Sequence, residues 1–137
     1  MFFLEKKSEN EIDTFSKIAA LLIHAAKIDE NYSKKEEQII KQALLKIGAK
    51  DQNIKAIIEK GNVIEKDTNQ ILEFTREVKK MDERSKIKII ETLWQIIYSN
   101  KEEDMYEANL MRRLEGLLYI DNKIMGNIKE KIKKQNS

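Results

Sequence analysis

Two short polar segments carry side-chain oxygens at a spacing that suits a cation-binding loop. In each segment, oxygen-bearing side chains stand at alternate positions and a glutamate follows at the start of the next predicted helix. The residues of the first elbow are Asp29, Asn31, Ser33 and Glu36, and those of the second elbow are Asn100, Glu102, Asp104 and Glu107. Hard cations such as Ca²⁺ take about 6–8 oxygen ligands. One hypothesis is therefore that the elbows form acidic patches that hold Ca²⁺ or another hard divalent cation. The loop is not an EF-hand, because the required glycine is missing and the closing glutamate comes too early.

The same residues also fit an explanation that needs no ion. Ser33 and Glu36 have the S-x-x-E spacing of a capping box, in which two side chains satisfy backbone N–H groups at the start of a helix. Asp104 and Glu107 repeat that spacing, and one cap contributes about 1 kcal/mol of helix stability. Geometry separates the two hypotheses. In a cap, Glu36 turns back to the N–H of Ser33, whereas in a cation site its oxygens converge with those of Asp29.

Composition and motifs argue against an enzyme. The chain has 137 residues, no cysteine and a single histidine, His24. Without thiols it has no disulfide scaffold, zinc finger or iron–sulfur cluster, and His24 lacks the Glu-x-x-His neighbour of a carboxylate-bridged di-iron site. No acid–base pair or phosphate-binding glycine loop is recognisable. We therefore interpret the protein as non-enzymatic and His24 as a partly buried, hydrogen-bonded side chain.

Charge and hydropathy narrow the choice of partners. Lys and Arg total 26 against 24 for Asp and Glu, and both signs are interspersed, so no basic field predicts a nucleic-acid partner. No apolar run approaches the roughly 20 residues of a transmembrane segment, and no secretory signal is recognisable, so we expect a cytoplasmic protein. The apolar segment 1–4, followed by Lys6 and Lys7, either packs on the domain or contacts a partner helix or a membrane surface.

Helices must position the elbows. The absence of proline and the abundance of Lys, Glu, Ile and Leu predict an all-α fold. Apolar periodicity and capping signals predict about seven helices in a single compact domain over residues 1–137. The expected boundary signals are a Ser8/Glu11 capping box before the first helix at about Glu9, stops at Gly48 and Gly61, and N-caps at Asp51, Asp67, Asp82 and Asp121.

The elbows lie in a predicted internal repeat. At one constant offset Ser33 aligns with Asp104, and the two copies cover about residues 12–48 and 83–119. Each copy consists of an apolar helix, a polar elbow, a capping signal and an amphipathic helix. We therefore predict two pseudo-repeated helical hairpins.

A resemblance to a known family rests on two segments, IHAAKIDENYSKKEEQII and LWQIIYSNKEEDMYEANLMRRLEGLLYI. They resemble the hairpins of the TerB-like family, which includes the tellurite-resistance protein TerB and is similar to the N-terminal region of the co-chaperone DjlA. The resemblance implies an all-helical domain linked to stress responses, with metal proposed to bind at Asp29 and Glu36 and at Asn100 and Glu107. Family elbows tend to read Ala-Asp-Gly. This chain has Glu30 in place of that glycine and Asn100 in place of the second aspartate.

A second hypothesis comes from a different class of protein. A helical protein-interaction scaffold, or a co-chaperone-like domain without a metal site, would have purely structural elbows and would bind an unidentified protein partner in its grooves. An exposed apolar patch around Phe2, Phe3 or Tyr106 would favour this hypothesis. Trp94 is predicted to lie in the core, while Tyr98 and Tyr106 either pack there or border a partner pocket.

Overall fold

The computed structural model describes residues 2–28, 33–67, 71–99 and 105–135. Within these ranges the chain forms seven α-helices and no strand, which confirms the all-α prediction. The helices are α1 (Phe2–Lys27), α2 (Lys34–Lys46), α3 (Ile54–Asp67), α4 (Ile71–Lys79), α5 (Glu83–Tyr98), α6 (Met105–Leu117) and α7 (Asn122–Gln135), with a 3₁₀ turn at Asp51–Asn53. None of the helices in these ranges has the length and apolar character needed to cross a bilayer.

The second half of α1 is the centre of the core. Residues 18–23 are all fully buried, although successive positions on a helix point in different directions. A helix that is apolar on every side must be covered on every side. Helices α2, α3, α4 and α5 pack around α1 and provide that cover, while α7 packs on α5. The first elbow therefore follows a helix whose second half is buried on every side.

Aspartates begin two of the later helices, as predicted. Asp82 Oδ1 accepts a hydrogen bond from the backbone N–H of Ser85 (2.8 Å), and Asp121 Oδ1 accepts one from that of Lys123 (2.8 Å). These carboxylates satisfy N–H groups that have no partner inside the first helical turn. The aspartates therefore mark the starts of α5 and α7.

Four predicted boundary signals were wrong. Asp51 does not cap α3, because it lies in the 3₁₀ turn Asp51–Asn53 and α3 begins at Ile54. Helix α1 begins at Phe2, so Ser8 lies inside it, because the residues before Ser8 include good helix formers and neither glycine nor proline. Gly61 does not end α3, which runs on to Asp67. Asp67 is consequently the last residue of α3 and not the cap of α4. Gly61 is instead a packing position, since a Cβ there would lie 2.9 Å from the Cβ of Ala19 on α1.

Helices α2 and α6 end in the same way. The backbone N–H of Ala49 donates to the carbonyl of Leu44 (2.9 Å), and that of Ile120 donates to the carbonyl of Glu115 (3.2 Å). In each case the preceding residue adopts a positive φ, 116° at Gly48 and 55° at Tyr119, which is the Schellman type of helix end. The end of α2 at Gly48 was predicted from the sequence. The internal repeat stays a prediction, and these ends agree with it.

We expect the cap at Asp82 to make stability depend on pH. Hydrogen bonds from the side chain and backbone of Ser85 lower the pKa of Asp82 below its ordinary value. The ionised carboxylate therefore stabilises the fold above the ordinary pKa, and this contribution is lost as the pH falls through the lowered value. Asp82→Ala should lower the melting temperature at neutral pH and have a smaller effect in acid, as followed by circular dichroism.

The matched variant Asp82→Asn keeps an acceptor at the N-cap but removes the titrating group. Its melting temperature should follow that of Asp82→Ala at a constant offset across the acid range. An effect of Asp82→Ala that is the same at every pH would contradict a contribution from the ionised carboxylate.

Candidate functional site

The first elbow ends in a complete capping box. The backbone N–H of Ser33 donates to Glu36 Oε1 (2.9 Å), and the hydroxyl of Ser33 lies 3.0 Å from the same oxygen. In return, the backbone N–H of Glu36 donates to Ser33 Oγ (3.2 Å). Ser33 itself is extended, with φ −97° and ψ 167°, as an N-cap requires. The predicted cap of α2 is therefore confirmed.

Glu36 is nearly inaccessible to water, with 1% of its surface exposed. A buried carboxylate is stable only where hydrogen bonds or opposite charges balance it. The cap supplies two hydrogen-bond partners, both at Oε1. Asp29 and Asn31 lie outside the described residues, so the convergence of their oxygens with those of Glu36 stays a prediction.

The second elbow has a buried glutamate at the matching position. Glu107, in the first turn of α6, is 3% exposed. Its predicted neighbours Asn100, Glu102 and Asp104 lie outside the part of the chain that the structure describes. Among the residues that it does describe, no group of three or more acidic or histidine side chains could hold a metal ion. Ser33, Glu36 and Glu107 are thus the residues of the predicted cation site that the structure describes.

His24 belongs to a group of polar side chains between α1 and α3. Its Nδ1 lies 3.5 Å from Glu65 Oε1, and Lys27 Nζ lies 3.0 Å from the other oxygen of that carboxylate. The ring of His24 also lies against that of Phe74, with centroids 6.5 Å apart. The predicted partial burial of His24 is confirmed, and its predicted hydrogen bond stays a prediction. The sequence analysis missed Glu65, although it stands one helical turn after Gly61 and therefore on the face of α3 that meets α1.

Two of the three aromatic residues near the second elbow lie in the core. The rings of Trp94 and Tyr98 stack with centroids 5.8 Å apart, and both side chains are buried. Lys129 from α7 lies over the ring of Trp94, 5.3 Å from its centroid. The core position of Trp94 is confirmed. The side chain of Tyr106 lies outside the described residues.

The seven described helices define the class of protein as an all-helical domain. The family model for tellurite resistance protein TerB matches residues 15–130, a range that includes at least part of all seven described helices. The chain therefore belongs to the TerB family. No curated protein and no solved structure matches it.

Proposed function

We propose that this chain is a non-enzymatic TerB-family module that acts in a stress response by binding a divalent cation, with Ca²⁺ as the first candidate. The observation that supports the proposal is the burial of Glu36 and Glu107 at the start of the helices that follow the two acidic elbows. A cation would balance the charge of such a carboxylate. The proposed ligands are Asp29, Asn31, Ser33 and Glu36 in the first elbow, and Asn100, Glu102, Asp104 and Glu107 in the second.

Capping and cation binding are compatible at Glu36. The two hydrogen bonds that Ser33 donates to Glu36 both reach Oε1, and a carboxylate can accept hydrogen bonds and ligate a cation at the same time. The cap also fixes the side chain of Glu36 toward Ser33, so that the two residues move as one unit. A fixed carboxylate loses less conformational entropy when it binds an ion, which favours ligation. The first elbow is the stronger candidate, because Asn100 lacks the charge that Asp29 carries.

We expect Ca²⁺ or Mn²⁺ to raise the melting temperature of the protein, with a shift that grows with the logarithm of the ion concentration. An ion that binds only the folded state must raise its stability. Glu36→Gln should remove most of this shift, since it keeps the shape of the side chain and an oxygen that can accept the N–H of Ser33. Melting curves recorded by circular dichroism at increasing ion concentration measure the effect.

Glu107→Gln is the matched control for the second elbow and should change the shift less than Glu36→Gln does. A melting temperature that does not move at a millimolar excess of either ion would refute cation binding at useful affinity. An equal shift in the wild type and in Glu36→Gln would move the binding site away from the first elbow.

A second candidate function is a protein-interaction scaffold with no metal site. The observation that favours it is the complete capping box, which gives Ser33 and Glu36 a structural role without any ion. The predicted apolar patch at Phe2, Phe3 and Tyr106 involves side chains outside the described residues. Among the described large apolar side chains, Val63 on α3 and Tyr119 after α6 are exposed. The ion titration separates the two candidates.

The proposed function also implies a domain organisation and a cellular location for the chain. We propose that residues 1–137 form one domain and that it functions in the cytoplasm. The chain contains no cysteine, so its stability does not depend on disulfides that form in oxidising compartments. Contact of the segment 1–4 with a membrane surface stays a prediction.

A further inference from the structure

A groove runs between α2 and α5, and the sequence analysis did not identify it. One cavity between these helices has a volume of about 420 Å³, and a second cavity of about 500 Å³ continues along them and shares two lysines with the first. We call the two cavities together the α2/α5 groove. Its floor is formed by Ile39, Ala43 and Thr92, and its rim includes Lys35, Lys46 and Lys88.

The floor of the α2/α5 groove is apolar. Ala43 and Thr92 are buried, and Ile39 is half-buried. The hydroxyl of Thr92 donates to the carbonyl of Lys88 on its own helix (2.8 Å), so it adds no unsatisfied polar group to the floor. Covering such a floor with another apolar surface removes both surfaces from water and therefore favours binding.

The rim carries an excess of positive charge. Four basic side chains line the two cavities, namely Lys35, Lys46, Arg84 and Lys88, against one acidic side chain, Glu91. Lys88 and Glu91 lie 3.6 Å apart and partly neutralise each other. The lining thus has three more positive than negative charges, whereas the whole chain has a net charge of only +2. The groove therefore favours a negatively charged partner.

We propose that the α2/α5 groove binds an acidic amphipathic helix of a partner protein. The apolar face of that helix would cover Ile39 and Ala43, and its carboxylates would lie against the lysines of the rim. This is the helix-in-groove mode of recognition, read through apolar side chains one helical turn apart. No aromatic side chain lines either cavity, so the groove offers no stacking platform for nucleic-acid bases, and its apolar floor fits an apolar helix face better than a phosphate backbone. The proposal does not depend on cation binding at the elbows.

The test measures the binding of a fluorescently labelled helical peptide to the full chain by anisotropy. The peptide carries leucine along one helical face and glutamate elsewhere, and a second peptide has the same composition in scrambled order. We expect the amphipathic peptide to bind about tenfold more tightly than the scrambled one, because only the former presents a continuous apolar face. Added salt should weaken the binding, since the rim contacts are between charges.

The double variant Lys35→Glu/Lys46→Glu should weaken binding of the amphipathic peptide about tenfold or more. The matched control, Lys55→Glu/Lys66→Glu, makes the same change of net charge on exposed positions of α3 outside the groove and should bind like the wild type. Melting curves of both double variants establish that each is folded before binding is compared.

Three results would overturn the proposal. The first is that the amphipathic peptide does not bind, or that it binds no better than the scrambled one. The second is an equal loss of peptide affinity in both double variants, which would show that the peptide responds only to the net charge of the protein. The third is that Lys35→Glu/Lys46→Glu abolishes a dimer of the chain seen by light scattering, or binding of a single-stranded oligonucleotide, while leaving peptide binding intact.

Discussion

Replacing Phe74 with alanine should lower the free energy of unfolding by about 3–5 kcal/mol. Phe74 is 1% exposed and is the largest of the fully buried side chains among the described residues. It stands on α4, which packs against α1. Truncation removes the apolar contacts of a whole ring and leaves a cavity beside α1, whose other sides are held by further helices. Urea denaturation followed by circular dichroism measures the loss.

Val63→Ala provides the comparison for Phe74→Ala. Val63 is also apolar, but it is 58% exposed on α3, and a substitution at such a site changes stability by about 0.5 kcal/mol or less. A loss below about 1 kcal/mol for Phe74→Ala would mean that the side chain is not enclosed by α1 and α4. A similar loss in both variants would show that burial does not distinguish these positions.

The sequence predicted the helices and the caps of α2, α5 and α7, because both depend on residues close together along the chain. Apolar side chains at helical spacing identify the face that must be buried, as with Phe74 and Val78 on α4. A cap is similarly local. Ser33 with Glu36, and Asp82 alone, can be recognised because each satisfies N–H groups of the turn that it begins. Neither inference requires knowledge of which helices pack together.

Features that depend on contacts between helices escaped prediction. Glycine is the residue type typical of a helix end, so the sequence predicts one at Gly61. Only its close contact with Ala19 of α1 shows that it is a packing position. Glu65 reads as one more surface acid until α3 places it beside His24 and Lys27. In the sequence, the lysines of the α2/α5 groove belong to two separate solvated helix faces. Because α3 and α4 lie between α2 and α5 in the chain, only the fold shows that these lysines surround one groove.

The candidate cation site could be predicted from the sequence only in part. Spacing places the oxygen-bearing side chains near one another, but ligation requires that several of them point at one position within a few tenths of an ångström. That requirement depends on the path of each elbow, which the residue types do not fix. The role of Glu36 in the cap could be predicted from its spacing to Ser33, whereas its burial could not, and its convergence with Asp29 stays a prediction. The ion titration therefore tests the arrangement of oxygens that residue spacing does not determine.

Replacing Gly61 with valine should lower the free energy of unfolding by about 3 kcal/mol, at the upper end of the usual cost of overpacking. A Cβ at Gly61 would lie 2.9 Å from the Cβ of Ala19, 3.2 Å from the carbonyl oxygen of Ser16 and 3.3 Å from the backbone nitrogen of Ala20. Two of these three neighbours are backbone atoms, so no rotation of a side chain relieves the contact and α3 must move away from α1. Gly126→Val is the matched control, because a Cβ there meets nothing within 4 Å on the exposed side of α7, and its effect should stay within about 0.5 kcal/mol. Equal urea midpoints for the two variants would show that α1 and α3 do not require a glycine at their contact.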